Sequence, residues 1–97
     1  MSVKIDMNSP IFQEDFFNLQ KNEQLSLLKS IKKIKALTWS QIYSDKGLHW
    51  EAILSKQTSS GERLYSFRFS QKYRATAQRQ GDFLRLLTLH VDHDSAY

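Results

Sequence analysis

The sequence predicts an α+β domain in which an N-terminal strand and a helical hairpin precede an antiparallel sheet of about four strands. Three observations carry that prediction. From Leu64 to Phe69, and again from Tyr73 to Gln78, the residues alternate with a period of two, as strands require. Between Ile11 and Ile34 the apolar residues recur instead at helical spacing. The chain has 97 residues, the size of one small core, so residues 1–97 are expected to form a single domain.

In chain order, Val3 to Met7 alternates and reads as the first strand. Asn8-Ser9-Pro10 then supplies a helix start, with Ser9 as the cap and Pro10 in the first turn, where a missing N–H costs nothing. Ile11, Phe12, Phe16, Phe17 and Leu19 are expected to form the buried stripe of that helix, with Asp15 and Asn18 outside. A break near Lys21-Asn22 leads into a second helix whose buried face is marked by Leu25, Leu28 and Ile31, flanked by Leu27 and Ile34. Lys29, Lys32, Lys33 and Lys35 make its other side basic, which reads as a solvated face. Thr38-Trp39-Ser40 suits the cap of a short helical turn, Asp45-Lys46-Gly47 suits a turn, and Leu48 to Ile53 suits a short strand. Gln57 to Gly61 and Gln80-Gly81-Asp82 read as polar hairpin loops. Trp39 and Trp50 are assigned to packing, because large aromatics dominate small cores.

Composition removes several classes of function. The chain has no cysteine, which excludes disulfides and thiolate metal sites. Met1 to Ser9 lacks the apolar core of a signal peptide, and no run approaches the ~18 apolar residues of a membrane helix. A cytoplasmic protein without a membrane partner is expected. The net charge is +4, and the distribution of the cations says more than their sum. The first half carries only lysines, whereas the arginines begin at Arg63 and continue as Arg68, Arg74, Arg79 and Arg85. Strand alternation puts Tyr65, Phe67 and Phe69 on one face with Tyr73, Ala75 and Ala77. It leaves Ser66, Arg68, Arg74 and Thr76 on the other. A guanidinium fork grips phosphate at two points, so the non-core face of the sheet is the expected phosphate site.

Leu64-Tyr65-Ser66-Phe67-Arg68, Tyr73-Arg74-Ala75, the hairpin at Gly81-Asp82, and the run from Leu87 through Asp92-His93-Asp94-Ser95-Ala96-Tyr97 resemble the RelE/ParE superfamily of bacterial toxins. The segment Gly47-Leu48-His49-Trp50-Glu51 is similar to that of a RelE-like branch. The resemblance implies a RelE-like fold and a toxin of a type II toxin–antitoxin pair, held by a separate antitoxin chain with an acidic segment over Arg68 and Arg74. Many RelE-like members cut messenger RNA in the ribosomal decoding site; ParE-like members instead poison DNA gyrase, and fold alone does not choose between them.

Metal-independent RNA cleavage needs a base for the ribose 2′-hydroxyl, cations for the pentacoordinate phosphate, and an acid for the departing 5′-oxygen. The resemblance implies Glu51 as base, Arg68 and Arg74 on the phosphate, and His93 or Tyr97 as acid or base-stacking group, with Lys46, His49, Lys72 and His90 contacting RNA. No cofactor is implied. His93 ranks above Tyr97 for proton transfer, because a histidine titrates near neutrality. His90, Asp92, His93 and Asp94 also invite a metal reading, but neighbours on a strand point to opposite faces and no spaced ligand set accompanies them, so no metal is assigned. Arg74 also reads as a structural arginine paired with Glu51 or with a terminal aspartate, and Glu51 as the wet side of a short strand. Three functions stay open on sequence: a ribonuclease toxin, a gyrase-directed toxin, and a catalytically silent binding module of the same fold.

Overall fold

A computed structural model describes residues 3–57 and 63–91. Its elements are β1 (Lys4–Asp6), α1 (Pro10–Asn18), α2 (Lys21–Lys35), α3 (Trp39–Ser44), β2 (Glu51–Gln57), β3 (Arg63–Arg68), β4 (Tyr73–Gln80) and β5 (Phe83–Val91). The strands form one sheet in the order β1-β5-β4-β3-β2. β2 to β5 are antiparallel, as expected, and β1 adds a fifth strand parallel to β5. The α+β order read from the sequence is therefore present, with a mixed sheet.

The local signals act as anticipated at several joints. Ser9 Oγ accepts from the Phe12 N–H with Pro10 opening α1. Thr38 and Gln41 bond reciprocally across the first turn of α3, Thr38 Oγ1 accepting at 3.2 Å and Gln41 Oε1 at 2.9 Å. Gln80 pairs with Phe83, leaving Gly81-Asp82 as a two-residue hairpin loop. Gly81 there has φ +60, the left-handed backbone that the first central position of a type II′ turn demands. The loop expected at Gln57 to Gly61 lies, beyond Gln57, outside the described residues.

The helices cover one face of the sheet. Phe12, Leu27, Ile31, Ile34 and Ile42 pack there with Phe67, Phe69, Ala75, Ala77, Leu84, Leu86 and Leu89. Two helix faces differ from the sequence reading. In α2 the buried stripe is Leu27, Ile31 and Ile34, while Leu25 and Leu28 are 51% and 46% exposed. Spacings of four and three keep Leu27, Ile31 and Ile34 in one line, from which Leu28 is rotated by a full 100° step. In α1 Phe12 is buried, but Ile11 and Phe17 are exposed and Asp15 turns inward. The Asp15 carboxylate accepts the Leu89 N–H at 2.9 Å, serving the edge of β5 beyond the three residues that β1 covers.

Trp39 and Trp50 pack as expected, in a cluster of rings with Tyr43 and Tyr65. Arg79 belongs to this cluster: its guanidinium lies 4.2 Å from the Trp39 ring centre and donates to Tyr43 Oη at 2.8 Å. Among the described residues, no helix is long and apolar enough to cross a membrane.

Candidate functional site

The face of the sheet away from the helices carries two cross-strand rows. Arg68, Arg74 and His90 are register partners across β3, β4 and β5. One step along, Glu51, Ser66, Thr76 and Thr88 are partners across β2 to β5. Diagonal hydrogen bonds knit the rows together. Arg74 donates to Ser66 Oγ from Nε at 3.3 Å and from a terminal nitrogen at 2.9 Å, and a His90 ring nitrogen lies 3.0 Å from Thr76 Oγ1.

The loop between α3 and β2 brings the remaining groups to this face. Asp45 Oδ1 accepts from the Leu48 N–H at 2.9 Å and from Lys33 Nζ at 3.0 Å, and the Asp45 carbonyl accepts the His49 N–H. Those donors, the Leu48 N–H foremost and then Lys33, hold the Asp45 carboxyl below its ordinary 3.8. The Leu48 carbonyl takes the Arg68 N–H at 2.6 Å, fastening the loop to the end of β3. His49 then adopts φ +50, and it alone among the described non-glycine residues has positive φ.

This backbone aims His49 in two directions. Its ring Nε2 lies 2.7 Å from Glu51 Oε1, and its carbonyl accepts from Arg74 at 2.8 Å. Arg74 in turn lies 4.0 Å from Glu51 Oε1. Arg74 is only 5% exposed, and its hydrogen bonds tie β3 and β4 to the His49 loop. Glu51 and the His49 ring stay open to solvent, with side chains 44% and 55% exposed. Arg68 is partly exposed and borders a cleft of about 230 Å³ together with Lys33, Gly47 and Ser70. Gly47 lies close against the ion pair of Lys33 and Asp45: a Cβ there would stand 3.2 Å from Lys33 Nζ and 3.3 Å from Asp45 Oδ1.

Of the positions named from sequence, Glu51, Arg68, Arg74, His49 and His90 converge on this face. Lys46 is exposed in the same loop. Lys72 sits at the β3–β4 turn with its ammonium 5.9 Å from the Tyr73 ring centre. His93 and Tyr97, like Asp92 and Asp94, lie outside the described residues. Sequence reasoning did not single out Ser66, Thr76 or Asp45. Alternation places the first two beside the arginines, whereas Asp45 was legible only as a turn residue.

No protein-family description and no curated protein matches the chain. Two solved structures do. A copper-bound mutant toxin from Helicobacter pylori is similar with a TM-score of 0.53 and 16% identity, over 95% of this chain and 97% of that one. The YoeB dimer from Staphylococcus aureus is similar with a TM-score of 0.56 and 16% identity, over 91% of this chain and 94% of that one. At such identity the likeness speaks of architecture alone: the chain shares the α+β fold of these two proteins, as the sequence resemblance implied for the fold.

Proposed function

We propose that this chain is the toxin of a type II toxin–antitoxin pair and cuts messenger RNA, on the ribosome, without a metal ion. The observation that carries the reading is the exposed Glu51 carboxylate held between His49 and Arg74, beside Arg68 on the sheet face that also carries Ser66, Thr76 and His90. The similarity in fold to two toxins supports the same class.

In this mechanism the Glu51 carboxylate takes the proton of a ribose 2′-hydroxyl, and the 2′-oxygen attacks the adjacent phosphorus. The bond to the 5′-oxygen breaks, leaving a 2′,3′-cyclic phosphate and a 5′-hydroxyl. Arg68 meets the phosphate directly, and Arg74 behind it adds fixed positive potential where negative charge develops. His93 donates the proton to the departing 5′-oxygen, with Tyr97 stacking on a base; His49, His90, Lys46 and Lys72 guide the strand. A separate antitoxin chain covers Arg68, with the buried Arg74 beneath it, by acidic side chains and so competes with phosphate. The toxin acts in the cytoplasm, where its substrate is.

The test is induction from a tightly repressed promoter, followed within minutes by mapping of transcript 5′ ends, beside an Arg68→Ala plus His93→Ala control. New cuts inside translated codons that vanish in the control are the expected result. Growth arrest with intact messenger RNA and a DNA-damage response points instead to a gyrase-directed toxin, and neither arrest nor cuts to a silent binding fold.

A further inference from the structure

A second cleft opens on the other side of the His49 loop. Tyr43, Ser44, Asp45, Lys46, His49 and Trp50 line a volume of about 380 Å³ between α3 and the start of β2. That volume falls within the ~300–1,000 Å³ typical of small-ligand sites. From these residues we infer that the cleft is a nucleobase subsite, which seats the base of the nucleotide whose 2′-hydroxyl faces Glu51. This inference rests on the ribonuclease reading.

The walls supply what a nucleotide offers in return. Tyr43 and Trp50 form an aromatic corner, their ring centres 5.8 Å apart at 41°. Tyr43 is 44% exposed, so ring surface remains for a base to cover. The corner is already rigid, which reduces the entropy lost on binding. Trp50 stacks on Tyr65 at 4.9 Å and 25°, Tyr43 stacks on the same ring at 6.1 Å, and Arg79 holds the Tyr43 hydroxyl at 2.8 Å. Lys46, exposed at the rim, matches the phosphate that any base brings with it. The connection to the chemistry is His49, which lines this cleft and also reaches Glu51 at 2.7 Å. Ring faces, one ammonium, one imidazole and the Asp45 carboxylate, whose charge Lys33 already offsets at 3.0 Å, fit a nucleotide better than an acidic peptide, which would leave the aromatic corner uncovered.

Titration of the four nucleoside 3′-monophosphates against the protein, read by tryptophan fluorescence, tests the subsite without requiring cleavage. Saturable quenching by at least one of them is expected. Lys46→Ala and Tyr43→Ala should each weaken it by about tenfold, as loss of one phosphate contact or one stacking partner does. Tyr43 is woven into the ring cluster, so Lys46→Ala, at an exposed loop position, is the variant that decides if Tyr43→Ala fails to fold. Absence of quenching by all four, or quenching that both variants leave unchanged, overturns the subsite. Binding here in a protein that makes no cuts keeps the subsite and removes the ribonuclease reading. Cuts whose base preference is the same in wild type and Lys46→Ala, without nucleotide binding, remove the subsite and keep the ribonuclease.

Discussion

His49 Nε2 lies 2.7 Å from Glu51 Oε1 while the His49 carbonyl accepts from Arg74 at 2.8 Å, so one residue in left-handed backbone touches both the carboxylate and the buried cation of the site. Outliers of this kind cluster where geometry serves function, because surrounding contacts must hold them in place. Here the holding contacts are the Asp45 carbonyl on the His49 N–H and the Asp45 carboxylate on Leu48.

If Glu51 is the base, Glu51→Gln preserves a hydrogen-bonding side chain of the same shape and removes the proton acceptor. RNA cleavage should fall by about 10²–10⁴-fold. The melting temperature should hardly move, since the side chain is 44% exposed. Cleavage at the wild-type rate in single-turnover assays would assign the base elsewhere.

Backbone and ring contributions of His49 separate by comparing His49→Ala with His49→Gly. Both lose the ring contact to Glu51. Only alanine keeps a Cβ that is unfavourable at φ +50, so His49→Ala should be less stable than His49→Gly by about 1 kcal/mol in urea denaturation. Equal stability would mean that the loop relaxes to an ordinary conformation once the ring is gone.

Arg74→Ala removes the donor to Ser66 Oγ and to the His49 carbonyl. Stranding those acceptors should cost about 1–3 kcal/mol, so lost activity in this variant carries a folding component. Arg74→Lys keeps the charge without the fork and is expected to recover only part of the stability. A denaturant midpoint for Arg74→Ala equal to wild type would contradict the role of tie.

Acid should loosen the loop through Asp45. Its folded pKa is lowered by the Leu48 N–H and Lys33, so its contribution is present above the ordinary carboxylate value of 3.8 and is lost as pH falls through the lower folded value. Asp45→Asn has no titrating carboxyl and lacks this contribution. The melting-temperature gap between wild type and Asp45→Asn should be widest near neutrality and close towards pH ~3. A constant gap across that range would mean that Asp45 acts through geometry alone.

Much of the site's membership was legible in the sequence by itself, because strand alternation is local: Ser66 and Arg68 must share a face, as must Arg74 and Thr76. The caps at Ser9 and Thr38 and the glycine of the Gly81 turn were legible for the same reason, since each is settled within four residues. Register and burial are not local. Nothing in the chain order says that Arg74 stands between Arg68 and His90, that β1 runs parallel to β5, or that Asp15 turns in to meet Leu89. Leu25 and Leu28 look as buried as Leu27 until the sheet selects which stripe of α2 it covers. Residue type and spacing thus determined the elements and the candidate groups. Only the packing of distant segments, which decides which polar atoms lose water and which partners they find, could turn Arg74 into a buried tie and leave Glu51 open to solvent.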